Sequence, residues 1–191
     1  MHAVTDAENV DRDALAEAGA PIGGDAVRWL TPTERRAWLS IVATHMQLMP
    51  TLEADLHRDG PVSFFEYQVL AMLSENDGPL AMSELAARTN SSLSRLSHVA
   101  RKLEARGWIE RMPSSEDARV TMAAMTELGM RELVRIAPHH VASVRRWLLD
   151  VLDDRDLEDI GRIGAKILGH LDPGHWIFRD PVLTAEDPSS V

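Results

Sequence analysis

Residues 82–126 read MSELAARTNSSLSRLSHVARKLEARGWIERMPSSEDARVTMAAMT, and this stretch decides the fold. Two short helices, a tight break between them, and two strands joined by a polar tip can be read from it. The first helix opens at Ser83, whose hydroxyl can accept from the free amides of the first turn. Glu84 suits the positive end of the helix dipole. Leu85, Ala86 and Ala87 form its centre. Propensity fails at Arg88-Thr89-Asn90, and Asn90 is one of the few residue types that tolerate positive φ, so it can turn the chain sharply. Ser91 or Ser92 then caps a second helix. Leu93, Leu96, Val99 or Ala100, and Leu103 recur on one face of it. Ser92, Ser94, Arg95, His98, Arg101 and Lys102 occupy the other face, and Gly107 is the residue that stops it.

Two such helices across a tight turn describe a helix-turn-helix, with the small Ala86 allowing close approach. A helical hairpin with a solvated polar face would explain the stripe equally well. The strands separate these readings. Residues 108–112 (Trp-Ile-Glu-Arg-Met) alternate large and polar side chains, and residues 120–125 form a second extended run. Residues 113–119 between them have the composition of a turn. A β-hairpin directly after a recognition helix is a wing. An Arg near its tip, here Arg119, can enter a minor groove, where negative potential concentrates. Asp117, two residues earlier on an extended segment, is placed to orient that guanidinium.

The run Asp117-Ala-Arg119, then Met125-Thr-Glu-Leu-Gly129, resembles the wing signature of the MarR family of bacterial transcriptional regulators. Ser94-Arg95-Leu96, followed by Leu103-Glu-Ala-Arg-Gly-Trp-Ile-Glu-Arg111, is similar to that family's recognition helix and first wing strand. The resemblance spans roughly residues 29–171. Met125 stands where Leu is usual, and Glu116 and Asp117 make the wing acidic, so Arg119 alone carries its basic character. The resemblance implies a mainly α fold with a small β-wing: a winged helix-turn-helix plus N- and C-terminal dimerisation helices. It implies a homodimeric, sequence-specific DNA-binding regulator, a repressor, on a pseudopalindromic operator. The residues placed at double-stranded DNA are Ser83, Ser91, Ser92, Ser94, Arg95, His98, Arg101, Lys102, Asp117 and Arg119. It also implies a small-molecule effector, for which Trp38, His45, Met49 and Arg58 could line a pocket; any one of them reads more readily as ordinary core or surface.

The net charge of −10 speaks at first against nucleic acid. Its distribution matters more. From residue 88 to 119 seven Arg or Lys face four acids, a local +3, which leaves −13 for the rest of the chain. Acidity elsewhere limits non-specific binding. With 45% hydrophobic residues the chain has an ordinary globular composition. No apolar run is long enough for a bilayer and no leader is seen at Met1, so a cytoplasmic protein with no membrane partner is expected. The absence of Cys excludes disulfides, Cys-based zinc sites and the thiol peroxide sensing that some members of the family use.

Residues 1–28 read as an acidic N-terminal arm, with a short helix around 14–18 and an anchor at Trp29 and Leu30. Residues 29–60 form a dimerisation helix that starts at a Thr31-Pro-Thr-Glu34 capping box and is kinked by Pro50. Inward positions include His45, Met46 and Met49. Residues 61–125 are the winged helix-turn-helix. It opens with a second capping box, Ser63 to Glu66, whose helix runs to about Asn76; a short strand at 80–82 lies against the wing. Residues 126–171 supply further dimerisation helices. Thr126 caps the first, with Leu128, Leu133, Val134 and Ile136 inward and a kink at Pro138. Val141, Val144, Trp147, Leu148, Val151 and Leu152 continue it. Asp153 caps the last helix. Residues 172–191 are a tail. The flanking helices are apolar on more than one side, so pairing with a second copy is the economical solution; an intramolecular antiparallel bundle is the other.

Adjacent His139 and His140 point about 100° apart on a helix and cannot chelate as an i, i+4 pair would. His45 on an inward stripe reads as a hydrogen-bonded core histidine. No nucleophile elbow, phosphate loop or zinc-protease helix is present, so neither a cofactor, a metal nor an enzyme is expected. The competing functions are a winged-helix module that binds a protein partner and a metal-responsive regulator.

Overall fold

The structure is a computed structural model that describes residues 28–179. The short helix expected around residues 14–18 lies outside them. Helix α1 (Pro32–Asp59) starts at its capping box. The Thr31 amide donates to Glu34 Oε2 at 2.7 Å and the Glu34 amide to Thr31 Oγ1 at 3.2 Å. The helix continues through Pro50. The chain divides into two compact units between His45 and Met46, inside α1. In the first unit Trp29, Leu30, Trp38 and Ile41 are exposed among the described residues. His45 is exposed too, which corrects its assignment to an inward stripe.

The second unit holds the winged helix. Helix α2 (Phe64–Ser74) opens with both arms of the Ser63–Glu66 capping box and ends two residues before the expected Asn76. Then follow β1 (Leu80–Ala81), α3 (Met82–Arg88), α4 (Leu93–Ala105), β2 (Ile109–Pro113) and β3 (Thr121–Met125). The strands form one antiparallel sheet in the order β1-β3-β2. Leu80 lies opposite Ala123, Ile109 opposite Met125 and Pro113 opposite Thr121. The expected short strand against the wing is therefore β1, one residue shorter because Met82 already belongs to α3.

The core joins Leu56, Val62, Val69, Leu70, Leu85, Leu96, Leu103, Ile109 and Ile136, all essentially inaccessible. Burying such a side chain contributes about 1.5–3 kcal/mol relative to leaving it in water. These residues come from α1, the connection after it (Val62), α2, α3, α4, β2 and α5 (Glu127–Trp147), so the winged helix and the helices flanking it share one interior.

Helix α5 runs through Pro138 and gives way to a 3-10 turn (Leu149–Val151). Thr126 caps it, accepting from the Gly129 amide at 3.0 Å. Leu133 and Ile136 are buried as expected, but Leu128, Val134, Val141 and Val151 are exposed, as is Met46 on α1. Helix α6 (Asp154–Leu171) begins with a capping box between Asp153 and Asp156 and buries no residue at all. Leu157, Ile160, Ile163 and Ile167 lie open along it. Periodicity reports that a side is apolar, not which chain covers it. A last 3-10 turn spans Trp176–Arg179.

Candidate nucleic-acid interface

The reading unit is positioned by two helix ends of the same design. At the end of α3, Asn90 takes φ +46°. Its amide donates to the Ala87 carbonyl at 3.1 Å, and the Ser91 amide to Ala86 at 2.9 Å. At the end of α4, Gly107 takes φ +70°. Its amide donates to Glu104 at 2.9 Å, and the Trp108 amide to Leu103 at 3.0 Å. Each is a paired 6→1 and 5→2 closure around one left-handed residue. The first turns α3 into α4 and the second turns α4 into the wing.

The Ser83 cap is corrected. Ala81 occupies the N-cap position and no side chain caps α3, because β1 runs straight into the helix and starts it two residues early. Ser83 instead lies exposed in the first turn. Ser92, not Ser91, caps α4 and accepts from the Arg95 amide at 3.3 Å. Ser91 is half-buried and its hydroxyl is 3.1 Å from Thr89 Oγ1, so it is committed to the turn. Ser92 and Ser94 hydroxyls lie 3.1 Å apart on the outer face.

That outer face carries Ser92, Ser94, Arg95, His98, Arg101 and Lys102, all exposed, opposite the buried Leu96, Ala100 and Leu103. Arg101 and Lys102 have no carboxylate partner among the described residues. The Arg95 guanidinium lies 4.3 Å over the Phe65 ring of α2. Leu93, expected in the buried stripe, is 52% exposed.

At the wing tip, Asp117 does not lie on an extended segment. The Val120 amide donates to the Asp117 carbonyl at 2.9 Å, which closes a turn. Within it Asp117 Oδ1 accepts from the Arg119 amide at 3.0 Å and from Arg119 Nε at 3.1 Å. The expected pairing is present, but the turn creates it rather than strand alternation. These two donors hold the Asp117 carboxyl below its usual range. The Arg119 side chain is 91% exposed and presented outward.

Of the seven cations counted in this window, Arg88 pairs within α3 with Glu84 at 3.1 Å, and two more join separate elements of the fold. Arg106 reaches from the end of α4 to the Pro61 carbonyl at 2.9 Å and the nearly buried Glu66 at 3.7 Å, with its guanidinium 4.9 Å over Trp108. Arg111 on β2 donates through Nε to Glu104 on α4 at 3.1 Å and keeps that carboxyl low. It ties the wing root to the recognition helix. The sequence carries no local signal for either pair. Thr126 completes the joint: its amide donates to Trp108 at 3.1 Å and its hydroxyl to Gly107 at 2.7 Å. A Cβ at Gly129 would be driven into the Trp108 carbonyl oxygen, so only glycine fits there.

Of the residues read as an effector pocket, Trp38 and His45 are exposed and Met49 is half-buried. Arg58 pairs with Asp55 at 2.7 Å and Asp59 at 3.4 Å. Asp55 itself was not read from the sequence. It is 6% exposed and accepts from Trp147 Nε1 at 2.9 Å and from Arg58 at 2.7 Å. Hydrogen bonds from Trp147, Ser143 and Arg58 hold its carboxyl below the usual range. This joins α1 to the end of α5. His140 is half-buried against Tyr67 and Phe64, with ring centroids 4.3 and 5.9 Å away, and its Nδ1 has no hydrogen-bond partner among the described residues. Burial pushes its pKa down. Among the described residues no three His, Asp or Glu cluster as metal ligands, and no helix is long and apolar enough to cross a membrane.

Comparison with known proteins matches this architecture. Residues 65–121 match the model of the MarR family. The crystal structure of AbsC, a MarR family transcriptional regulator from Streptomyces coelicolor, is 37% identical and has a TM-score of 0.74, covering 77% of this chain and 99% of AbsC. Sco3205, a MarR family regulator from the same organism solved in complex with DNA, is 34% identical with a TM-score of 0.75, covering 78% of this chain and 94% of Sco3205. The transcriptional repressor MprA of Escherichia coli (strain K12) is 28% identical over 139 residues, 70% of this chain and 77% of MprA. Identity above 30% across nearly the whole of AbsC and Sco3205, on the same fold, leads to one conclusion: this chain belongs to the MarR family of transcriptional regulators.

Proposed function

We propose that the protein represses transcription as a homodimer on a pseudopalindromic operator, with α4 in the major groove and the wing at the minor groove. The observation that carries this reading is the wing tip, where a turn-bound carboxylate aims an almost fully exposed Arg119 away from the fold. The exposed face of Ser92, Ser94, Arg95, His98, Arg101 and Lys102 supports it, with Ser83 beside that face and Ser91 acting through the turn. The DNA-bound Sco3205 and the repressor MprA support it among the relatives. Residues 29–60 and 126–171 are assigned to dimerisation, since α6 is amphipathic yet buries nothing in the single chain. Release of the repressor from its operator by a small-molecule effector is part of the proposal, with Trp38, His45, Met49 and Arg58 as first residues to test. A protein with this task works on cytoplasmic DNA and performs no catalysis.

The experiment is selection of genomic fragments on the full-length protein, followed by binding at several salt concentrations. Enriched fragments should be twofold symmetric, with half-sites about 10 bp apart. Affinity should drop steeply with salt through counterion release. A flat salt response, or no enrichment, would favour the protein-partner module instead.

A further inference from the structure

Leu93 is the one residue of the α4 stripe that the core does not take. It lies three residues before Leu96, about 60° round the helix from it, so the pattern places it inward. Yet Leu96 is fully buried and Leu93 is 52% exposed. It is the first residue of α4, one turn before the first buried residue of that helix. There it lines an open groove between the recognition helix and the wing, with Ser83, Ser97, Arg119 and the exposed Val120, in a cavity of about 300 Å³.

Its neighbours on the chain are Ser92 and Ser94, whose hydroxyls face outward. Residues at the start of a recognition helix are those that reach base edges. The major groove offers them hydrogen-bonding groups and a single apolar one, the 5-methyl of thymine. An exposed Leu between two serines, in a groove rimmed by Arg119, is matched to a surface that is anionic overall and apolar at that point. Resting on the operator-binding reading above, we propose that Leu93 is a specificity-determining residue that packs on a thymine methyl in each half-site. Placing both groups out of water should strengthen binding about fourfold per methyl, the value of one buried methylene-sized group. The serines beside it contact the neighbouring polar edges.

The test uses full-length protein and duplexes selected from a random-sequence library. In the recovered duplex each thymine is replaced in turn by deoxyuridine, which removes only the methyl. The expected result is one thymine per half-site whose replacement weakens the wild-type protein about fourfold. Leu93→Ala should bind the thymine and deoxyuridine duplexes equally. Its binding to a scrambled duplex should stay at the wild-type level, which shows that the variant is folded. If no thymine methyl matters to the wild type, or if Leu93→Ala keeps the same methyl dependence, the assignment of Leu93 is overturned while operator binding stands. If no sequence is enriched from the library at all, the operator reading fails and this inference with it.

Discussion

Asp55→Ala should be among the most damaging single changes outside the hydrophobic core. Asp55 belongs to α1, yet its Oδ2 accepts from Trp147 at the far end of α5 and its Oδ1 from Arg58. Ser143, itself buried, also donates to it. Hydrogen bonds to a charged acceptor contribute about 1.5–3 kcal/mol each, and a buried donor left alone costs about 1–3 kcal/mol. The Arg58 arm is solvent-exposed and is set aside on that account. Trp147 and Ser143 remain; Trp147 is half exposed, so water recovers part of its loss. A net cost of about 2–3 kcal/mol follows. At about 2–4 °C per kcal/mol for a chain of this size, the Tm should fall by about 4–12 °C. Asp55→Asn keeps one acceptor oxygen and the volume, so it should fall about half as far. The assay is thermal unfolding by circular dichroism at one protomer concentration, since a dimer's Tm depends on it. Because the carboxyl is held low in the fold, its contribution is full above the unfolded value of about 3.9 and is lost as pH falls through the lower folded value. Wild type and Asp55→Asn should therefore converge only below that range. An Ala variant that unfolds within about 1 °C of wild type at neutral pH, or an Asn variant as unstable as Ala, would refute the reasoning.

Arg95→Ala should lower binding to the operator much more than binding to a scrambled duplex, at a cost of about 1–3 kcal/mol in discrimination. Arg119→Ala should weaken both duplexes, and Asp117→Ala should act as a milder Arg119→Ala; equal losses on both duplexes for Arg95 and Arg119 would show that the division between bases and shape is wrong. Burial disfavours the charged form of His140, so stability should decline as pH falls below about 6.5, where the unfolded chain takes up the proton first. His140→Phe should flatten the Tm-against-pH curve between about pH 7 and pH 5, and an unchanged slope would contradict this. Gly129→Ala forces a methyl into the Trp108 carbonyl. It should unfold at lower temperature than wild type and lose operator binding, because the same contact fixes the wing root; a Tm equal to wild type would show that α5 can move aside freely.

Much of the reading unit was legible because its signals are local. Asn90 and Gly107 mark left-handed helix ends, the Ser63–Glu66 and Thr31–Glu34 boxes mark helix starts, and the short run between Gly107 and the polar wing tip marks a strand. Each depends on atoms within a few residues, so the local sequence contains the cause. Ser83 shows where this ends: its cap was ruled out by β1, whose place depends on pairing with β3 some forty positions later.

By itself, then, the sequence determined which segments are helix, turn or wing, and which residues carry charge to an outer face. Tertiary structure decided which apolar residues are covered and which cations are free. Leu93 and Leu96 look alike in the pattern, but only one has a core beneath it. Arg106 and Arg119 count equally as charge. One is tied to Glu66 and Pro61, forty and more residues away, while the other is aimed outward by a carboxylate two residues before it. Coverage and pairing across such distances are properties of the packed chain. No window of sequence contains both partners, so no window could have assigned them.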